Sequence, residues 1–324
     1  MRGFLQNSRG MALILTILIV SLIVALTVQF NTSMRSDLHA AVNFRDGIKL
    51  GYIAKSGFSY ALAVLRRDAS EGNVDSLREA WADSKALSED SDALFGDGRF
   101  EVNLSDHSGR IQINQLIYHK GDKKGEYNPN QRQLLTIFLN SNSERFGLDP
   151  KKVDNIVDAI KDWIDEDDDP TRFSVKDSHY EKLKFQEELL LVDGITRELF
   201  YGTREKPGIS RYLTTYGDDG KININTADSL ILTALSKYIV GEDKGEEWLE
   251  YREDEKNGLS HYKNYPGMSD MSPDEQAKAD SLLTTSSAYF EIKSQGLKGA
   301  AARQVTGMAE RKDGWPRILS WKIE

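Results

Sequence analysis

Twenty consecutive residues, Met11 to Phe30, read MALILTILIVSLIVALTVQF, and no charged side chain occurs between Arg9 and Arg35. Only Thr16, Ser21, Thr27 and Gln29 are polar in that run. At ~1.5 Å of rise per residue it makes roughly 30 Å of helix, the thickness of a bilayer core, so the chain is expected to be anchored in a membrane. With Arg2 and Arg9 on its N-terminal side, the positive-inside rule leaves the short tail in the cytoplasm and sends about 290 residues across. The run is too long for the apolar region of a secretory signal, and it ends in Val28-Gln29-Phe30-Asn31 without a small-residue cleavage pattern.

The residues before it, Ser8-Arg9-Gly10 followed by Met11, resemble a prepilin signal, a short basic leader ending in Gly and cut ahead of the apolar helix. The alternative is that Gly10 is no more than a helix-entry residue. Beyond the span, Leu38, Ala41, Phe44, Ile48, Tyr52, Phe58, Leu62 and Leu65 follow three- and four-residue spacing, interrupted by Lys55. One helix from Met11 to Leu65 would be roughly 80 Å long, although Gly47, Gly51 and Gly57 lower its propensity. Half in lipid and half on a globular head is the shape of a pilin subunit; the alternative is an anchor followed by a separate amphipathic helix.

Composition excludes several classes of function. The 324 residues carry a formal charge of -9, which argues against a basic surface made to coat nucleic acid. No cysteine is present, so thiol catalysis, thiolate zinc sites and disulfides are excluded together. His39, His107, His119, His179 and His261 are scattered, and no zinc-protease, nucleophile-elbow or phosphate-loop pattern occurs, so no enzyme is expected. Length suggests roughly two domains.

Along the chain, Asp68 to Asp92 is polar and is expected to hold a surface helix around Leu77 and Trp81. Phe100 to Leu104 and Ile111 to Asn114 alternate on either side of a turn, and read as a hairpin. Helical spacing follows in Asn130 to Phe146 and in Lys151 to Trp163, with Asp149 and Pro150 suited to starting the second. At its end, Asp154, Asp158 and Asp162 share one face and Asp165-Glu166-Asp167-Asp168-Asp169 follow, with Lys161 the only base among them. Such a cluster repels itself and opposes the helix dipole, so something positive is expected beside it. An EF-hand is excluded, because Pro170 and Lys176 stand where its glycine and glutamate belong. A hard-oxygen calcium site formed by Asp165, Asp167, Asp169 and Asp177 is weighed against a solvated acidic loop.

Farther on, Glu187 to Val192 reads as a short helix, with Gly194 suited to its end and Thr196 to the next start. Lys221 to Ala227 reads as a strand whose Asn225 or Thr226 caps a helix from Ala227 to Tyr238. Both pieces resemble helix-hairpin-helix modules. Acidic surroundings without a lysine cluster favour a packing role over phosphate binding. Glu242 to Asp280 is polar and loop-rich, and Tyr289 to Lys293, Ala302 to Arg311 and Leu319 to Ile323 read as strands.

Six motifs in this order resemble the K-type minor pseudopilins of type II secretion systems over nearly the whole chain. They are Arg9-Gly10-Met11-Ala12-Leu13, Gly109-Arg110-Ile111-Gln112-Ile113-Asn114, Asp162-Trp163-Ile164-Asp165-Glu166-Asp167, Glu188 to Ile195, Ile222-Asn223-Ile224-Asn225-Thr226-Ala227 and Ser287-Ala288-Tyr289-Phe290. The resemblance implies an α+β, pilin-like fold in which a long N-terminal transmembrane helix packs on an antiparallel sheet, interrupted by a large α-helical insertion. The implied parts are a cleaved leader at 1–10, a membrane part at 11–34, pilin-like pieces at 35–114 and 286–324, and a helical insertion at 115–285. Also implied are cutting between Gly10 and Met11 by the prepilin peptidase, N-methylation of Met11, and calcium sites in the Asp165 to Asp177 region. Where many members read Gly-Ala-Glu before a Tyr, this chain has Val175-Lys176-Asp177, which leaves Asp177 as the substitute ligand. The implied place is the tip of a periplasmic pseudopilus that helps start assembly and export. Its implied partners are the I- and J-type minor pseudopilins, the major G-type subunit and the inner-membrane platform, with no nucleic acid. Most pilin-like subunits carry Glu at the fifth mature position, where it meets the amine of the subunit above; here that position is Leu15. A subunit with nothing above it has no amine to pair, and a carboxylate buried there would only cost energy. The competing expectation is an uncleaved, membrane-anchored module that binds calcium or DNA.

Overall fold

A computed structural model describes residues 8–89, 91–165, 182–312 and 315–324. Its first element, α1 (Ser8–Glu71), is one helix of 64 residues. The three glycines do not break it, and it runs six residues beyond the expected end.

The other elements, in chain order, begin with α2 (Ser84–Ser88), α3 (Ser91–Phe95), β1 (Arg99–Asp106) and β2 (Ile111–Gln112). Next come α4 (Pro129–Ser141), α5 (Ser143–Phe146), α6 (Val153–Ile164), α7 (Arg197–Tyr201), β3 (Leu213–Thr214) and β4 (Ile222–Asn223). The last are α8 (Ser229–Ile239), α9 (Gly245–Glu253), α10 (Pro273–Leu282), β5 (Leu283–Thr284), β6 (Tyr289–Lys298), β7 (Ala301–Lys312) and β8 (Trp315–Ile323).

Four strands form one antiparallel sheet in the order β1-β6-β7-β8. The lower half of α1 lies on its face, burying Leu50, Ile53, Ala54, Phe58, Ala61 and Leu65 against Phe100, Val102, Phe290, Ile292, Val305 and Ala309. Close approach is secured by Gly296, where a Cβ would stand 3.0 Å from the Ala54 backbone nitrogen of α1. A second core, from Ile111 to Leu283, belongs to the helical part and draws on α4, α6, α8, α9 and α10. The chain therefore folds around two cores, and the sheet closes only after the helical part has been traversed.

Several sequence expectations are corrected here. The expected hairpin does not form, because β1 pairs with β6 while β2 lies parallel to β3. Alternation showed a buried face without naming its partner. The intervening turn serves other segments: Ser108 Oγ accepts from the Ala288 amide and the Ser108 carbonyl from that of Asn223. The stretch after α1 is no surface helix around Trp81, which is buried edge-on against Phe290 at 5.2 Å. The cap of α8 is Asp228, whose side chain accepts from the Leu230 amide, instead of Asn225 or Thr226. Those asparagines are buried hooks: Asn223 and Asn225 both donate to the Asp75 carbonyl at 3.1 Å, and Tyr265 donates to Asn225 at 2.8 Å. The segment Gln186–Leu191 is a 3₁₀ helix, and the loop-rich stretch contains α9 and α10 around buried Trp248 and Met268. Thr196 caps α7 as expected, accepting from Leu199 at 3.1 Å.

Candidate assembly surface

The exposed and buried faces of α1 separate along its length. From Gly10 through the uncharged span the helix is long and apolar enough to cross a membrane, and none of its apolar window is buried in the protein. Gly10, Met11 and Leu15 all lie within this helix, with Met11 and Leu15 exposed. Below the span the expected stripe divides. Phe58 and Leu65 join the sheet core, whereas Leu38, Phe44, Ile48 and Tyr52 stay exposed. Spacing alone could not separate the two, since both follow helical periodicity on flanks about a third of a turn apart.

The exposed flank continues onto β8. Among the described residues β8 contributes nothing to the sheet core, and Trp315, Ile318, Trp321 and Ile323 are 63%, 46%, 51% and 48% exposed. Ile318, Trp321 and Ile323 pair with Ala309, Gly307 and Val305. Paired residues share a face, so these three look toward the α1 side of the sheet. Two cations bind the edges of this surface together: Lys55 Nζ is 5.3 Å from the ring centres of both Tyr52 and Trp321, and Arg66 Cζ is 3.6 Å from that of Trp315. The sequence showed the alternation of β8, but its position at an open sheet edge depends on long-range pairing. These residues were therefore missed.

A buried polar junction joins the two cores at the distal end of α1. Arg311 Nη1 pairs with Asp68 and Nη2 with Asp75, and Nη2 also donates to the Ser287 carbonyl at 3.0 Å. Its guanidinium lies 4.9 Å from the Phe290 ring centre. Asp75 further accepts from the Ser287 amide at 2.6 Å. Asp68, Asp75 and Glu79 lie close enough to hold a cation, but Arg311 already supplies the positive charge. Nearby, Asp106 accepts from Thr226 Oγ1 at 2.5 Å, Ser287 Oγ at 2.6 Å and the Ser108 amide at 2.7 Å. Burial pushes its carboxyl up to about 6 against these three donors, and repulsion from Asp75 adds to the rise.

The acidic cluster is partly internal. Asp158 and Asp162 are buried on α6, and Asp158 accepts from Tyr127 Oη at 2.6 Å with Arg132 Nη2 at 3.7 Å. Buried Asp165 pairs with Lys161 Nζ at 2.8 Å, so the expected positive neighbours include the protein's own. Asp167, Asp169 and Asp177 lie outside the described residues. The donor set is all hard oxygen, which suits calcium; a cation at Asp165 would have to share it with Lys161.

The long apolar helix lying on an antiparallel sheet, with a helical part inserted between β1 and β6, defines a pilin-like subunit. Residues 109–204 match the family model described as type II secretion system protein K. Type II secretion system protein K of Pseudomonas aeruginosa is 22% identical over 97% of this chain and 92% of its own length. That of Aeromonas hydrophila is 24% identical over 89% and 88%. A chain in the crystal structure of the GspK-GspI-GspJ complex from enterotoxigenic Escherichia coli superposes with a TM-score of 0.65 at 17% identity, covering 88% of this chain and 98% of that one. Along most of its length the chain is thus similar to type II secretion system protein K, and it is a minor pseudopilin of that kind of system.

Proposed function

We propose that this subunit sits at the tip of a periplasmic pseudopilus, bound to the I- and J-type minor pseudopilins above the major G-type subunit, and helps start its assembly on the inner-membrane platform. The observation that carries this reading is the uncharged span with Leu15 at the fifth mature position. A subunit stacked above would bring an ammonium into lipid with no carboxylate to receive it. The helical part adds to this, since it is joined at the distal end of α1 where a following subunit would have to stand. In this reading the chain crosses the inner membrane once, with its head in the periplasm.

Removal of the leader between Gly10 and Met11 is part of the same proposal, and Gly10→Ala tests it. The intact mass of the membrane-extracted full chain is expected to match residues 11–324 with an N-methyl group, and to retain the ten leader residues in the variant, with secretion lost. A wild-type chain carrying its leader, or a variant that secretes normally, would overturn the reading.

Calcium enters on the donor chemistry of Asp165, Asp167, Asp169 and Asp177. Calorimetry of the extracted chain with calcium chloride is expected to show heat that Asp165→Ala combined with Asp167→Ala abolishes. Equal heat in both proteins would exclude the site.

A further inference from the structure

Between the outer face of the sheet and the helical part lies a cavity of about 410 Å³, and we propose that it takes one copper ion, bound by His107, Glu291 and Met308. All three side chains line the cavity, which also has room for waters in the ion's remaining positions. His107 follows β1, while Glu291 on β6 and Met308 on β7 are directly paired across the sheet. Paired residues share a face, with their Cβ atoms ~5 Å apart. That face is turned away from α1, since the neighbouring Phe290, Ile292 and Ala309 enter the core beneath that helix.

The histidine carries the inference. It is 6% exposed, yet its Nε2 has no hydrogen-bond partner among the described residues. A buried polar atom left unpaired costs free energy that a ligand would recover. Glu291 Oε2 stands 4.0 Å from it, too far for a direct bond. The other ring nitrogen is engaged: Nδ1 is 3.0 Å from Thr214 Oγ1, which also accepts from the Tyr216 amide at 3.2 Å. Thr214 thereby fixes the ring, and with Nε2 on a metal its oxygen would accept the Nδ1 proton, the support a ligating imidazole ordinarily has.

An imidazole and a carboxylate sharing one metal at ~2.0–2.2 Å stand roughly 3 Å apart, so Glu291 has about 1 Å to travel. Its side chain is 22% exposed and free to make that movement. The Lys293 ammonium 2.9 Å from the same oxygen belongs to a side chain 49% exposed. An exposed pair of this kind is weak, and the lysine can turn to solvent.

Donor chemistry chooses the metal. Calcium needs six or more oxygens, and two of these three donors are not oxygen. Zinc is held by imidazole, carboxylate and thiolate, whereas an imidazole with a more distant thioether suits copper, which also heads the affinity order of the divalent first-row metals. Met308 is 5% exposed, and its three rotatable bonds let the sulfur adapt to an ion. The ion would tie β6 and β7 to the turn after β1 and, through Thr214, to the helical part, a clasp between the two cores separate from Arg311.

Copper(II) chloride, buffered with glycine, is titrated into the full chain extracted in detergent and followed by electron paramagnetic resonance. Wild type is expected to bind one equivalent whose signal is split by a single imidazole nitrogen. His107→Gln, whose amide can keep the Thr214 bond, and Glu291→Gln should each weaken that equivalent at least tenfold. Met308→Leu should narrow the preference for copper over zinc at least threefold while leaving zinc affinity unchanged. The other four histidines give a background common to every chain, so the difference between wild type and variant is what is read. No difference for either glutamine variant, a wild-type equivalent that prefers zinc or calcium, or an equal effect of Met308→Leu on both metals would each overturn the site. Should His107→Gln fail to fold, the partly exposed Glu291→Gln still decides.

Discussion

Replacing Arg311 by methionine is expected to lower the unfolding free energy of the full chain by about 3–5 kcal/mol, the range found when one partner of a buried pair is removed. The Arg311 side chain is 7% exposed, and that of its partner Asp75 2%. Loss of the guanidinium strands Asp68 and Asp75 beside each other and leaves the Ser287 carbonyl without this donor. Methionine preserves most of the contact with Phe290, so the change isolates charge from packing. Arg317→Met is the control, because Arg317 pairs with Glu310 at 2.7 Å but is 73% exposed, and a surface pair contributes about 0–1 kcal/mol. Adding Asp68→Asn to Arg311→Met should recover part of the loss by removing one stranded charge. Denaturant unfolding in a single detergent reads all three. Equal losses for Arg311→Met and Arg317→Met would show that the junction does not hold the two cores together.

The arginine's importance could not be read from the sequence, and its position explains why. Its three partners come from the end of α1, the segment after it and the residues before β6. Local spacing reports only what lies within a turn or a strand: it found α1, α6, β1 and the three final strands, as well as the cap at Thr196. It could not choose between β6 and the Ile111 segment as the partner of β1, because both present an alternating apolar face. For the same reason Trp81, isolated among polar residues, was taken as a surface residue, although the gap it fills is created by Phe290 some two hundred positions away. The six motifs nevertheless marked the family, and the structure gives several of them physical roles. Gly109 sits where a Cβ would stand 3.0 Å from the Ala227 nitrogen. Asn114 bonds Leu183 through both ends of its amide, at 3.0 and 2.8 Å. Asn223 and Asn225 tie the helical part to Asp75, and Ser287 shares Asp106 with Thr226. Asn223, Asn225 and Ser287 thus meet at Asp75 and Asp106, where the two cores join, a place no single stretch of sequence reveals.

That junction also sets a pH dependence. Asp106 is pushed up to about 6 in the folded chain, against ~3.9 for an unfolded aspartate. Between those values the unfolded chain has released its proton while the folded chain retains it, so stability falls as pH rises. The contribution is complete below the unfolded value and lost as pH passes 6, amounting to at most about 3 kcal/mol at 1.36 kcal/mol per unit. Asp106→Asn is expected to flatten this slope. Its amide can keep the bond from the Ser108 nitrogen while its NH₂ turns toward the Thr226 and Ser287 hydroxyls, and Thr226 retains the Asn223 carbonyl at 3.3 Å as an acceptor. Other carboxyls contribute to the total profile, since burial also raises Asp68 and Glu79. The informative quantity is therefore the difference between wild type and variant, measured by denaturant unfolding at pH 4, 5, 6 and 7. That difference should move in favour of asparagine as pH rises and level off above 6. A difference independent of pH would mean that Asp106 folds as an ordinary carboxylate, its three hydrogen bonds outweighing the cost of burial.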